Sequence, residues 1–199
     1  DAFFQVVMAY DSKHELAHTG VYFGDDLETY LAGARASARQ NVTAVPPLKK
    51  VVAVMQGDEF YSTWVANKAV YRTRKAIADG GELLIIAPGL ERFGEQKEVD
   101  DIIRKYGYCG REKVMRLWRD CPEDGDLKEM THATAHLIHG SGDGRFNITY
   151  APGKLSREEI NSVGYGYADL AETLARYNPQ QLRNGFNTLP DGEEIYFIN

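Results

Sequence analysis

The period of apolar and polar positions changes several times along this 199-residue chain, and each change marks an element. "FFQVVMAYD" (3–11) reads as a buried strand, and "ELAHTGVYFGDD" (15–26) alternates as a second strand does. With "SKH" at the turn, the pair predicts a β-hairpin, flanked by His14 and His18 at the surface. "LETYLAGARASARQ" (27–40) sets Leu27, Tyr30, Leu31 and Ala34 at helical spacing. After the prolines of "VPPLKK", "VVAVM" (51–55) is a buried strand and "QGDEFYST" (56–63) a polar loop. "WVANKAVYRTRKAIADGG" (64–81) predicts a helix closed by Gly80 and Gly81, and "ELLIIA" (82–87) a second buried strand.

A strand, helix and strand in this succession predict a βαβ crossover, hence a parallel pair. Both strands are continuous apolar runs, as expected when helices cover both sheet faces. Helical patterns follow at 97–107, 111–119 and 125–139. "RFNITYAP" reads as a strand, Ser156 and Glu159 as a capping box, "GYADLAETLARY" as a helix, and "LPDGEEIYFIN" as a turn into a last strand. The fold class is α/β, a mixed and partly parallel sheet between helices, with an N-terminal β-hairpin. No repeat or clear linker divides the chain, so residues 1–199 read as a single domain. The start at Asp1, with a strand following at once, suggests a piece of a longer chain.

Composition narrows the function classes. The chain is 43% hydrophobic and 26% charged, with a net charge of −6 and a pI near 5.4. Without a basic excess to neutralise phosphates, nucleic acid is excluded as the main partner. No apolar run approaches the roughly 20 residues of a membrane helix, since "LLIIAPGL" is broken by Pro88 and Gly89. No secretion signal is legible, and Cys109 and Cys121 are too few for a disulfide framework, which together suggest the cytoplasm.

Ligands of open α/β sheets bind beyond the carboxyl ends of parallel strands. Two polar loops fall there: 56–63 with Asp58 and Glu59, and 88–95 with Glu91, Arg92 and Glu95. On the intervening helix Lys68, Arg72 and Lys75 share one face. Such a stripe grips an acidic ligand or is simply solvated, and spacing does not separate the two. At 100° per residue, His132, His136 and His139 fall within roughly 60° of one another on a polar face, away from Ala133, Thr134 and Leu137. Spacings of four and three admit a metal, but the glutamate of H-E-x-x-H is absent. The glycines of "GSGDG" (140–144) follow a helix and therefore meet its negative end, which is wrong for phosphate. "GYGYAD" lacks the third glycine of a dinucleotide fingerprint, and neither Cys109 nor Ser141 has a catalytic partner by spacing.

In succession, "FQVVMAYDSKHELAHTGVYFGDDLETYLAG", "VVAVMQGDEFYSTWVANKAV" and "GGELLIIAPGLERFG" resemble the C-terminal domain of the lactate racemase family, enzymes that use a nickel-pincer nucleotide. The likeness is strongest over residues 3–95 and weakest over 140–199, a departure that suggests larger substrates such as sugar acids. It implies an isomerase, a racemase or epimerase of 2-hydroxy acids, in which this domain closes the cleft. The catalytic histidines, the nickel ligand and the cofactor-tethering lysine would lie on the protein's own N-terminal domain. This chain alone would then hold no cofactor and be inactive. Lys68 matches a family lysine that reaches cofactor and substrate. Val65 stands where the family has a glutamine, and Gly89 where it has a cysteine. The resemblance makes Asp58, Glu59, Lys68, Arg72, Glu91 and Arg92 the expected ligand-facing set, with Lys68 as the catalytic candidate. A stand-alone module for small acids and a hydrolase with a metal on His132, His136 and His139 are the alternatives. A nucleotide-binding oxidoreductase is disfavoured by the missing fingerprint.

Overall fold

Two strands and a helix open the chain, and a six-stranded sheet with its helices follows; the computed structural model describes residues 2–13 and 15–199. The chain divides into two units, Asp1–Val45 and Pro46–Asn199.

In the first unit β1 (Phe3–Tyr10) pairs antiparallel with β2 (Leu16–Gly24), as the alternation predicts. The Asp11 carboxylate accepts from the amides of Lys13 and Glu15 at 2.8 and 2.9 Å, closing the turn. His14 lies outside the described residues, and His18 is exposed. Helix α1 (Leu27–Asn41) begins where the Asp26 side chain accepts from the Thr29 amide at 2.7 Å, the usual N-cap satisfaction of an orphan donor. It covers one face of the hairpin, burying Val7 and Ala9. The strand "FFQVVMAYD" is therefore buried on one side only, because a single helix covers a single face.

In the second unit the chain-order elements are β3 (Leu48–Val54), α2 (Thr63–Ala66), α3 (Lys68–Thr73), β4 (Ile77–Ala87), α4 (Lys97–Tyr106), α5 (Arg111–Asp120), α6 (Asp126–Glu129) and α7 (Thr131–His139). Then come β5 (Asn147–Pro152), α8 (Arg157–Ser162), β6 (Gly166–Tyr167), α9 (Leu170–Arg176), β7 (Gly185–Thr188) and β8 (Glu194–Ile198). The sheet order is β6-β5-β4-β3-β8-β7, parallel throughout except for the antiparallel β7–β8 pair. The α/β class, the mixed and largely parallel sheet and the N-terminal hairpin all stand as read from the sequence.

Both faces of the sheet are covered. Val52, Leu84, Ile86 and Phe197 pack on one side with Tyr177 and the α9 side chains Leu170 and Leu174. Alternation turns Val51, Leu83, Ile85 and Tyr150 to the other side, and all four are fully buried. The Ser156–Glu159 capping box is present at the start of α8.

The helix expected over 64–81 is the main correction. It is two short helices broken at Asn67, and Ile77–Gly81 belong to β4. Arg145 holds this segment in the sheet, donating to the Arg74 and Ile77 carbonyls at 3.0 Å each and to Asp79 at 2.7 Å. Gly80, at φ 77, shapes a bulge in a strand and does not cap a helix. Lys75 thus lies beyond the end of α3, and the stripe of three cations on one helix does not form. The helix expected over 125–139 is likewise divided at Met130.

Candidate active-site edge

Beyond the carboxyl ends of β3, β4 and β5 three loops meet backbone to backbone. A Cβ on Gly89 would lie 2.2 Å from the Gly57 carbonyl oxygen, and one on Gly153 would lie 1.7 Å from that of Pro88. Position 89 therefore has no room for the cysteine of the lactate racemase pattern. The second loop is also tied to its neighbours. The Asp100 carboxylate accepts from the amides of Phe93 and Gly94 at 2.6 and 3.0 Å and from Arg104 at 2.6 Å. Burial works to raise the Asp100 pKa, but those amides and the guanidinium outweigh it and hold it below the usual carboxylate value.

The charged residues of this loop pair with one another. Glu91 takes Lys154 and Arg92 at 2.6 Å each, and Arg92 also reaches Glu95 at 3.4 Å. Lys154, and after it Arg92, hold Glu91 below the usual carboxylate range. The buried Ser62 hydroxyl donates to Glu95 and accepts from the Val65 amide, so one side chain caps α2 and anchors the loop. Two cations and two carboxylates balance, and the cluster offers a ligand little net charge. Lys154 was not foreseen, because it follows β5, whose place beside β4 is a tertiary fact.

Lys68 stands differently. It is half-buried at the start of α3, with its ammonium 5.8 Å from the centre of the Phe60 ring. Among the described residues it makes no ion pair. Phe60 belongs to the same loop as Asp58 and Glu59, which are exposed. Arg72 is exposed one turn further on. The loop 56–63 and the start of α3 are thus brought together, whereas no hydrogen bond or ion pair joins Lys68 to the Glu91–Arg92 cluster among the described residues.

Behind Lys68 lies a buried polar network that spacing gave no sign of. Asn67, at the break between α2 and α3, accepts at Oδ1 from the hydroxyls of Tyr150 and Tyr165, at 2.7 and 3.1 Å. Its Nδ2 faces His136 Nε2 at 3.4 Å, and Tyr108 Oη lies 3.1 Å from the same nitrogen. Tyr108 also meets the Thr63 hydroxyl at 2.7 Å. Burial pushes the pKa of all three tyrosines up, so they stay protonated and act as donors. The one sequence hint was a tyrosine inside the apolar run of β5, since a buried hydroxyl needs a partner.

His136 corrects the polar-face reading. Its ring packs on Trp64 with centroids 4.3 Å apart, and burial, followed by the charge of His139, lowers its pKa to about 4. The reason is that α7 is enclosed by α4, α5 and α6 as well as by Trp64 of α2, so its core face is wider than a single stripe. His132 and His139 remain exposed, so the trio does not converge. Among the described residues no group of three His, Cys, Asp or Glu side chains could hold a metal ion. This edge suits an anion facing Lys68 and supplies no metal cage.

A cleft of about 900 Å³ lies at the opposite edge of the sheet, bordered by Lys50, Glu82, Asn147, Ser141 and Glu193. Lys50 there is engaged by Glu82 and Glu193 at 3.1 and 3.0 Å. No residue of the expected set borders this cleft. The carboxyl edge is the better candidate, because Lys68 there is half-buried and makes no ion pair among the described residues. No helix among the described residues is long and apolar enough to cross a membrane.

No protein-family model and no curated protein matches the chain. Solved structures do. A crystal structure of a Thermotoga maritima protein matches 86% of the chain at 24% identity, with a TM-score of 0.66. The lactate racemase apoprotein of Thermoanaerobacterium thermosaccharolyticum matches 98% of it at 16% identity, with a TM-score of 0.61. The chain has a lactate-racemase-like fold. It covers 43% of each of these two proteins, less than half their length.

Proposed function

We propose that this chain is the C-terminal, cleft-closing part of a lactate-racemase-like racemase or epimerase of 2-hydroxy acids, with Lys68 as its substrate-facing cation. The reading is carried by one observation: Lys68 is half-buried at the carboxyl edge of a lactate-racemase-like sheet and has no carboxylate partner among the described residues. At an effective dielectric near 20, an ammonium and a carboxylate about 4 Å apart attract by roughly 4 kcal/mol before desolvation. Lys68 would neutralise and orient the substrate carboxylate, with Asp58, Glu59 and Arg72 around the entrance and Glu91 and Arg92 stiffening the adjacent loop. The nickel-pincer nucleotide would supply hydride transfer and be held mainly by the N-terminal part of the longer protein. A sugar acid suits the departure over 140–199, and the cytoplasm suits the composition.

The deciding experiment is Lys68→Ala in the full-length protein. Turnover is expected to fall more than tenfold with an unchanged thermal melt. Unchanged kinetics would remove Lys68 from the mechanism. Binding of 2-hydroxy acids without turnover would favour a non-catalytic acid-binding module.

A further inference from the structure

The hairpin face turned away from α1 is largely apolar, with the exposed His18 opposite Met8 as its polar interruption. Phe4 lies opposite Phe23, Val6 opposite Val21 and Tyr10 opposite Leu16. These side chains are largely in solvent: Phe4 is 70% exposed, Tyr10 71% and Phe23 73%. Six side chains of this size expose on the order of 800 Å², above the ~300–600 Å² of the largest patch on a typical monomer and close to one partner's share of a standard interface.

The sheet is also unfinished. Two strands leave both outer edges with backbone donors and acceptors to pair, and α1 covers only one face of the pair. The unit Pro46–Asn199 has its own core. Among its described residues only Tyr61, Tyr71 and Phe186 are large, apolar and exposed. That unit exposes no apolar face of matching size.

We infer that this face is an interdomain docking surface, covered by the remainder of the longer polypeptide. The inference rests on the reading proposed above, that this chain is the C-terminal part of its protein. Length supports that occupant: the chain spans 43% of each solved neighbour, so more than half of each lies outside the match. Chemistry specifies it further. The docking element presents an apolar sheet or helix face without charge, and a strand edge that extends the hairpin.

Hydrogen exchange on the 199-residue chain and on the longer protein from the same gene tests this. The amides of β1 and β2 are expected to exchange at least tenfold more slowly in the longer protein. Phe4→Asp with Phe23→Asp is expected to abolish that protection while leaving β3, β4 and β5 unchanged. Equal exchange in the two proteins overturns the inference, as does a discrete dimer of the 199-residue chain that protects the same strands. If Lys68→Ala abolishes racemisation but the hairpin is no better protected in the longer protein, only this inference fails. If the hairpin is protected in a longer protein that racemises nothing, only the functional reading fails. A gene encoding nothing beyond these residues overturns both.

Discussion

The Tyr150 hydroxyl donates to the Asn67 side-chain oxygen at 2.7 Å, joining β5 to the break between α2 and α3. That bond spans 83 positions of sequence and fixes the residue immediately before Lys68. Tyr165 reaches the same oxygen, so two hydroxyls hold one side chain in place.

Removing the two ends of this bond should have unequal effects. Tyr150→Phe deletes one donor and leaves Asn67 with Tyr165, at a cost of about 0.5–1.5 kcal/mol. Asn67→Ala orphans the buried Tyr150 hydroxyl at about 1–3 kcal/mol, while Tyr165 keeps the Gly140 carbonyl at 2.7 Å, and should destabilise more. Urea titration of the two variants checks the order, and equal midpoints would contradict it.

His136 should make stability depend on pH. Its folded pKa of about 4 is depressed from 6.5, so the unfolded state binds the extra proton between those values. The stability from neutral His136 is complete above about pH 6.5 and is lost as pH falls to about 4, by about 3 kcal/mol in all. Carboxylates such as Asp100, depressed from 3.8, lose their contribution below that window, which separates the two effects. Stability measured from pH 7 to 4 should fall steeply in the parent chain and less in His136→Gln. Parallel curves would show that His136 does not titrate there.

Gly89→Ala should destabilise by about 1–3 kcal/mol, because the added methyl meets the Gly57 carbonyl and the loops must part. Gly89→Cys should cost at least as much, although cysteine is the residue of the lactate racemase pattern. Gly144→Ala is the contrasting case of backbone strain without a clash, since its φ is 72 and nothing lies within 4 Å of a Cβ built there. Denaturation midpoints, read through the fluorescence of Trp64 and Trp118, give the ranking; a neutral Gly89→Ala would mean that the loops separate freely.

Much of the fold was legible because its cause is local. The hairpin follows from alternation and the Asp11 turn, β3 and the core of β4 from their apolar runs, and α8 from the Ser156–Glu159 box. The two polar loops were placed by the same logic, since a parallel strand's carboxyl end is fixed once the strand is recognised.

What the residues determined by themselves was the α/β class, the order of most elements and the set of polar groups at the strand ends. Tertiary structure alone decided that Glu91 and Arg92 neutralise each other with Lys154, that Lys68 has no such partner among the described residues, and that His136 is a core residue. It also ended α3 at Thr73, because Arg145 draws the following residues into the sheet. Periodicity reports which face of an element is apolar. Whether a polar side chain on that element is buried, paired or free depends on partners tens of residues away, which no local pattern encodes.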